Sequence, residues 1–252
     1  MNDAHIRIEK LSVRYGEKPA LEDISFTVPR RAISAVIGPA NAGRTTLLRC
    51  INRTISFEYG SHTEGAIYID GSDVMQRDCD PIRLRRRIGM VFPLPVGLPL
   101  SVYENVAWGP RLAGTRDRTE LDRIVEESLR GAMLWDEVKD RLMHPGTRLS
   151  GGQQQRLTLA RALSQDPEIL CLDEFSIAID PVTTMKIEDI LREMKSRVTI
   201  LLVTNLVQQA RRLADFTTFL LGGQLIETGT TSDLFERPKN ELTRRYVCGE
   251  YG

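Results

Sequence analysis

The feature that most constrains the fold is an apolar run, Ala32–Ile37, that ends at Gly38-Pro39 and precedes a helix-forming segment, Thr45–Asn52. Such a run is typical of a strand buried on both faces, and the glycine-rich turn lets the chain reverse into a helix. Two further short apolar runs, Glu168–Leu172 and Val198–Thr204, each follow a helical segment. Parallel strands need crossovers of this kind. The sequence therefore predicts an α/β protein with a mostly parallel core sheet.

Other parts of the chain show different periodicities. Residues 5–28 alternate apolar and polar side chains, which predicts half-buried antiparallel strands. From Ser101 to Ser164 the apolar residues recur at helical spacing. The tail is predicted to close with a hairpin over Phe219–Gly229 and a short final helix at Asp233–Glu236.

These patterns predict one domain that spans residues 1–252. Residues 1–92 and 165–252 would form the core, which has an antiparallel β edge. Residues from about 93 to 164 would form a helical subdomain.

Charge and composition narrow the classes of function. Lys plus Arg and Asp plus Glu number 34 each, so we expect no nucleic-acid partner. The basic run Arg83–Arg87 is predicted to be a solvated or partner-facing helix edge. The four cysteines include no C-x-x-C pair and the three histidines are not at metal-ligand spacing, which predicts neither disulfides nor a zinc site. This cysteine usage fits a reduced, cytosolic compartment.

The sequence predicts that any membrane role is exerted through a partner. The chain opens Met1-Asn2-Asp3-Ala4, without the charged and apolar regions of a signal peptide. Its apolar runs, such as Thr199–Val203, are far shorter than the roughly 20 residues of a spanning helix.

The segment Gly38–Thr45 has the spacing of a phosphate-binding loop, G-x-x-x-x-G-K-[ST], with Arg44 in the place of lysine. In such loops backbone N–H groups at a helix N-terminus surround the phosphates, and the hydroxyl, here of Thr45, holds Mg²⁺. Arginine keeps the charge but is a larger planar fork, so we expect a weakened or displaced nucleotide. Asn41 tolerates the left-handed geometry of a tight loop. The candidate nucleotide-binding residues are Gly38, Pro39, Ala40, Asn41, Ala42, Gly43, Arg44, Thr45 and Thr46. A strand-to-helix turn without phosphate is the alternative.

The stretch Leu149-Ser150-Gly151-Gly152-Gln153-Gln154-Gln155-Arg156 resembles the signature of the ABC ATPases. The resemblance implies the P-loop NTPase fold of an ABC cassette, with ATP and Mg²⁺ as ligands. It implies that the signature residues Leu149, Ser150, Gly151, Gly152 and Gln153 act in trans in a head-to-tail dimer. N–H groups at this helix start would face the γ-phosphate bound to the other protomer.

Three more positions take roles from the same resemblance. Tyr15 matches an aromatic residue that stacks on adenine, although a tyrosine that caps the core is the alternative. Ile169–Glu174 resembles the family's Walker B segment, which implies that Asp173 supports Mg²⁺ through water and that Glu174 is the general base. Solvation of a strand end is the alternative for an isolated Asp-Glu pair.

The next segment resembles the D-loop of the family and includes Asp180. It has Phe175 in place of the usual proline and Ile177 in place of the usual serine. These exchanges put the cross-subunit contact of this loop in question.

Two further positions lose the family's side-chain chemistry. Pro93 stands where the Q-loop glutamine reaches Mg²⁺ and the attacking water, and proline offers neither an amide nor a backbone N–H. Asn205 matches the switch histidine and cannot carry a proton charge. Loss of one aligned donor at a reacting centre costs about 10²–10³ in rate. The candidate catalytic set, Glu174 with Asn205 and Pro93, therefore predicts a slow or silent ATPase. Neutral drift with activity retained is the alternative.

Nearly the whole chain is similar to the ATPase subunits of phosphate importers. Arg49–Arg53, Glu104–Gly109, Ser128–Ala132, Leu134–Leu142 and Gly223–Gly229 carry this similarity. It implies two copies beneath two membrane-spanning permease subunits, peripheral to the cytoplasmic face of the cell membrane. A binding protein outside would feed the permease, and a groove near Pro93 and residues 101–115 would receive the permease's coupling helix.

Two functions stay open from the sequence. One is an ATP-driven transport ATPase that hydrolyses slowly. The other is a non-hydrolysing regulatory or structural subunit, paired in a heterodimer with a complete paralogue. The second has support because Ser150–Gln153, which act in trans, are unaltered, whereas Arg44, Pro93 and Asn205, which act in cis, are changed. A soluble ABC protein of translation or DNA repair is disfavoured, because the chain has one cassette and no long coiled coil.

Overall fold

The structure, a computed structural model, describes residues 4–95 and 97–250; Met1–Asp3, in the opening segment where we expect no signal peptide, lie outside them. The strands are β1 (Ala4–Tyr15), β2 (Lys18–Pro29), β3 (Ile33–Ile37), β4 (Ser61–Ile69), β5 (Ser72–Asp73), β6 (Ile88–Val91), β7 (Ile169–Asp173), β8 (Thr199–Thr204), β9 (Phe216–Leu221) and β10 (Gln224–Thr230). The α-helices are α1 (Arg44–Ile51), α2 (Pro81–Arg87), α3 (Val102–Ala113), α4 (Arg118–Gly131), α5 (Trp135–Val138), α6 (Gly151–Leu163), α7 (Pro181–Met194), α8 (Val207–Leu213), α9 (Thr231–Glu236) and α10 (Glu241–Val247).

A six-stranded sheet in the order β10-β9-β3-β8-β7-β6 forms the centre of the fold. All neighbouring strands pair in parallel except β10, which is antiparallel to β9. The prediction of a mostly parallel core sheet is confirmed. Because β3, β8 and β7 are neighbours and run the same way, the loops after them meet at one edge of the sheet.

The central strands β3, β7 and β8 are buried at every residue, because both faces of the sheet are covered. Leu170, Leu172 and Leu202 on one face join a core with helices α3, α4, α6 and α7. On the other face, Cys171 and Val203 join a second core with α1 and strands β1, β2 and β4. Packing on both faces explains why these strands read as unbroken apolar runs rather than alternating ones.

The antiparallel strands form a sheet of their own, in the order β2-β1-β4-β5. The alternation over residues 5–28 correctly predicts β1 and β2, which pair antiparallel. The sequence does not predict β4, which pairs with the other edge of β1. The first half of β4, Ser61–Gly65, is polar and mostly exposed, so it lacks the apolar alternation that marks a strand.

The C-terminal hairpin is confirmed as β9 and β10, but the prediction of Asp233–Glu236 as the final helix is wrong. That segment lies in α9, and α10 follows it. Helix α10 buries only Thr243 and Tyr246, too few residues for an apolar stripe in the sequence. Tyr246 stacks on Phe219 of β9 with ring centroids 4.7 Å apart, so tertiary packing holds this helix.

The prediction that Arg83–Arg87 is a solvated or partner-facing edge is wrong for two of its arginines. Arg85 donates to the carbonyls of Asn52 and Arg53, at 3.1 and 2.9 Å. Arg87 pairs with Asp70 and, at 2.7 Å, with Glu168. These side chains tie α2 to its neighbours.

Among the helices of the described residues, none combines the length and apolarity that a bilayer crossing requires.

We predict that Gly65→Ala destabilises the protein by at least about 2 kcal/mol, because a left-handed backbone and a steric overlap combine at this residue. Gly65 has φ +91°, and an added Cβ would lie 2.3 Å from the Lys10 carbonyl oxygen, at the irregularity in the β1–β4 register. Urea unfolding measures the change. Gly229→Ala is the control, because its Cβ would enter open space. Equal losses in the two variants would contradict the prediction.

Candidate nucleotide-binding site

The loop between β3 and α1 has the backbone of a close-fitting cradle. Gly43 has φ +90°, and an added Cβ would lie 2.4 Å from the Ala20 carbonyl oxygen. A Cβ on Gly38 would lie 2.2 Å from the Leu220 carbonyl oxygen. Asn41 adopts φ +63°, the left-handed conformation expected of it. The loop therefore needs glycine where the sequence supplies it, and its amides lie at the start of α1.

Arg44, the first residue of α1, is buried and points toward the end of β7. Its Nη2 donates to Glu174 Oε1 at 2.8 Å, across 130 residues of sequence. Its Nη1 is also buried and makes no hydrogen bond within the described residues. The guanidinium thus has one group engaged with the candidate base and one group free to take an anionic oxygen.

Asp173 ends β7 with its carboxylate buried, and neither of its oxygens accepts a hydrogen bond within the described residues. Burial raises the pKa of this carboxyl, and the adjacent Glu174 acts in the same direction. The Thr45 hydroxyl and the Arg44 guanidinium act on it in the opposite direction, so both lie near it. Carboxylate oxygens without partners beside a hydroxyl fit Mg²⁺, which prefers oxygen ligands and retains several waters.

Glu174 sits in a left-handed backbone conformation, at φ +45°. Its N–H donates to the Val203 carbonyl of β8 at 2.8 Å, which fixes the turn against the neighbouring strand. Such a conformation costs of order 1–3 kcal/mol in a residue other than glycine, and surrounding contacts must hold it. One such contact is Phe175, which is fully buried in the core on the helical side of the sheet. The phenylalanine in place of the usual proline is therefore a core residue here.

In the rest of the D-loop, Ile177 and Asp180 differ in environment. Ile177 exposes 63% of its surface. Asp180 caps α7 by accepting a hydrogen bond from the Thr183 N–H at 2.9 Å, and this bond lowers the pKa of Asp180. Asp180 thus has a structural role within its own chain.

The signature residues form the start of α6. Ser150 and Gln153 make a reciprocal capping box, in which Ser150 Oγ accepts from the Gln153 N–H and Gln153 Oε1 accepts from the Ser150 N–H. The Ser150 N–H is therefore already engaged, and Gly151 offers the next amide at this exposed end. A Cβ on Gly152 would lie 2.9 Å from the Ala178 carbonyl oxygen, so the D-loop packs closely on the signature. Leu149 is buried.

The two altered positions lie in loops after β6 and β8. Pro93 is half-buried, and the carbonyl of Phe92 before it accepts from Gln155 Nε2 at 2.8 Å. Asn205 is exposed directly after β8. Sequence reasoning missed the role of Gln155, since only the fold shows that this buried signature-helix amide reaches the loop.

Tyr15 lies at the end of β1, half-buried against the core, and its hydroxyl is 3.3 Å from Thr46 Oγ1 in α1. The structure thus brings Tyr15, Arg44, Thr45, Asp173 and Glu174 into one neighbourhood. No hydrogen bond or ion pair of the described residues joins the signature, Leu149–Gln153, to the loop Gly38–Thr46.

A buried carboxylate suited to Mg²⁺ lies beside a phosphate-binding loop at the start of a helix. This combination defines a nucleotide-binding protein of the P-loop class. A model of the ABC transporter family matches residues 21–176. The chain is 49% identical to the "Phosphate import ATP-binding protein PstB" of Thermotoga maritima, over 98% of each chain. The chain belongs to the ABC transporter family and is an ABC-type ATPase subunit.

Solved structures share this fold. A bacterial Atm1-family ABC exporter with ATP bound gives a TM-score of 0.84 at 26% identity. The match covers 100% of this chain and 42% of the exporter chain. The cbiO1 protein of Clostridium perfringens, part of the ABC transporter complex cbiONQ, gives a TM-score of 0.79 at 24% identity. The match covers 99% of this chain and 100% of the cbiO1 chain. The second likeness concerns the fold alone.

We predict that Asp173→Asn stabilises the nucleotide-free protein at pH 7.5. The raised pKa means that the unmodified protein loses stability as the pH rises through that pKa, because the buried carboxyl must ionise. The melting temperature should rise by about 2–4 °C, which corresponds to about 1 kcal/mol in a protein of this size. The gain should shrink at pH 4. Asp189→Asn, at an exposed residue of α7, is the control. A lower melting temperature at both pH values would contradict the prediction.

Proposed function

We propose that this chain is the ATP-binding subunit of an ABC importer of phosphate, and that its ATP hydrolysis is weakened. The likeness to PstB supports import and phosphate as the transported species. The subunit would act at the cytoplasmic face of the cell membrane, as a dimer beneath two membrane-spanning permease subunits that receive phosphate from an external binding protein.

The observation that carries the weakened hydrolysis is the ion pair between Arg44 and Glu174. A general base must accept a proton from water through a carboxylate oxygen. In this chain Glu174 Oε1 accepts a hydrogen bond from the guanidinium at 2.8 Å, which leaves Oε2 for water and holds the carboxylate toward Arg44. For Nη2 as well as Nη1 to reach the phosphates, this pair must open. Binding energy is then used to break a contact inside the protein.

Two more residues lack the groups that would orient water for this base. Pro93 has no donor that could orient water, and Asn205 has an amide that carries no proton charge. Their positions, after β6 and β8, put them in the loops on either side of the loop after β7. The rate losses from removing several aligned donors at one centre need not multiply, because such groups act as a unit.

The remaining residues have the chemistry to bind nucleotide. The amides of Gly38–Thr46 would hold the phosphates, Tyr15 would stack on the base, and Thr45 and Asp173 would hold Mg²⁺, Asp173 through water. Mg²⁺ supplies positive charge to the phosphates when bound. Arg44 Nη1, which is buried and has no hydrogen-bond partner within the described residues, is the donor available to an anionic oxygen.

A permease contact has support from exposed apolar side chains in the Pro93 loop and on α3. These are Phe92, Leu94, Trp108 and Leu112, and Leu94 exposes 74% of its surface. Exposed large apolar side chains of this kind are typical of a protein contact. The coupling helix of a permease would dock here.

A second function is favoured by the intact signature with its capping box. In a heterodimer this signature would cover the γ-phosphate bound to a complete paralogue, while the chain's own site only binds nucleotide. The chain would then be a regulatory or structural subunit. An increase in the paralogue's hydrolysis on addition of this chain, lost with Ser150→Arg, would favour this function over the homodimer.

The proposal is tested by hydrolysis of Mg-ATP by the purified chain, beside a variant with Arg44→Lys, Pro93→Gln and Asn205→His. We expect the reverted variant to be at least about 10²-fold faster, because one aligned donor is worth about 10²–10³. Glu174→Gln in each background should abolish hydrolysis.

Equal rates in the two proteins would contradict the weakened hydrolysis. Failure of both to bind ATP would contradict the assignment of the nucleotide site. Arg83→Lys, at an exposed arginine of α2 outside the site, controls for a general effect of arginine replacement.

A further inference from the structure

A buried polar cluster joins three elements behind the candidate site. Gln209 of α8 is at its centre, and its amide makes three hydrogen bonds. Its Oε1 accepts from Thr204 Oγ1 at 2.9 Å, and its Nε2 donates to Ser176 Oγ at 3.2 Å and to Glu188 Oε1 at 3.1 Å. Both Gln209 and Glu188 expose only 1% of their surface. The cluster is thus well paired rather than a chance set of buried polar groups.

Two of the three partners of Gln209, Ser176 and Thr204, lie at the loops that flank the reaction centre. Ser176 lies two residues after Glu174, in the D-loop. Thr204 lies directly before Asn205, and its Oγ1 also accepts from the Leu206 N–H at 3.0 Å, which shapes the turn after β8. One amide therefore links the D-loop to the turn that carries Asn205.

The far side of the cluster is fixed by charge. Glu188 of α7 accepts from Arg212 of α8 at 2.9 and 3.2 Å, so its buried charge has a cation as well as the Gln209 amide. A buried carboxylate needs such partners, because loss of one leaves a desolvated charge. Glu188 and Arg212 hold α7 to α8 and so hold the Gln209 amide in one orientation.

We propose that Gln209 is a positioning residue for ATP hydrolysis, which sets the placement of the Asn205 turn relative to Glu174. A shift of Ser176, in the loop offered to a second protomer, would then move Thr204 and the Asn205 turn through this amide. The inference rests on the proposed function for the roles of Glu174 and Asn205. The linkage itself is a property of the chain and is tested without hydrolysis.

The linkage is tested by amide hydrogen exchange of the peptide over residues 204–208 in Ser176→Ala, without nucleotide. Among the described residues, the hydrogen bonds of Ser176 reach this peptide only through Gln209, so we expect exchange there to be at least about threefold faster. Ser196→Ala, whose hydroxyl bonds only locally to the Glu193 carbonyl, is the matched control. Exchange equal to that of the unmodified chain would overturn the proposal.

The role in hydrolysis is tested with Gln209→Met, which keeps the size of the side chain but removes all three hydrogen bonds. We expect the single-turnover rate per folded molecule to fall about tenfold, with the Kd for Mg-ATP within about twofold. Both proteins are also measured with Arg44→Lys, Pro93→Gln and Asn205→His in place, so that a rate is available if the unmodified chain is silent.

A charge exchange separates positioning from simple loss of stability. The double variant Glu188→Gln with Gln209→Glu keeps one amide and one carboxylate in the cluster. Its rate should therefore lie within about threefold of the rate without these two changes. A rate unchanged in Gln209→Met, or a rate that falls together with the affinity for Mg-ATP, would overturn the positioning role. Normal nucleotide binding with no hydrolysis in any background would instead contradict an ATPase role for this chain, and the exchange measurement would still decide the linkage.

Discussion

The contact between Arg44 and Glu174 is the constraint on which the function of this structure depends. Both side chains are largely removed from water, and at 2.8 Å they form a charge-assisted hydrogen bond. Breaking a buried pair by removing one partner is costly, because the other charge is left desolvated. A ligand that separates the two groups must therefore offer each a replacement. Phosphate oxygens could do so for the guanidinium.

The sheet order puts these groups together. β3 leads into the phosphate loop, β7 ends at Asp173-Glu174, and β8, which ends before Asn205, lies between them. Because all three run in parallel, their carboxyl ends share one edge, the usual place for a ligand in such sheets. The hydrogen bond from the Glu174 N–H to the Val203 carbonyl fixes this arrangement in the backbone. The second sheet packs on one face of this core, and its β2 brings the Ala20 carbonyl close to Gly43 of the phosphate loop.

Much of the fold could be predicted from the sequence, because it depends on local patterns. The buried strands have unbroken apolar runs, the phosphate loop has glycines where the backbone demands them, and β1 and β2 alternate as half-buried strands do. Strand β4 and helix α10 could not be predicted, because each is held by pairing or packing with distant segments. The first half of β4 is polar, and α10 buries only two residues.

Within the site, residue types were predictable but their pairings were not. The exchange of lysine for Arg44 is visible in the sequence, yet its partner lies 130 residues away. The same holds for Gln209, which no motif marks and which gains its significance only from Ser176 and Thr204 beside it. Arg87 was expected in solvent or facing a partner, because a charge run carries no information about the carboxylates that fold against it.

The most direct measurement is a double-mutant cycle for Arg44→Met and Glu174→Gln, by urea unfolding of the nucleotide-free protein. If the two side chains pair as described, the cycle should give a coupling energy of about 1.5–3 kcal/mol, the range for hydrogen bonds to charged groups. Saturating Mg-ATP should reduce this coupling. Effects that add to within about 0.5 kcal/mol would mean that the pair does not form, and that Glu174 is free to act as the base.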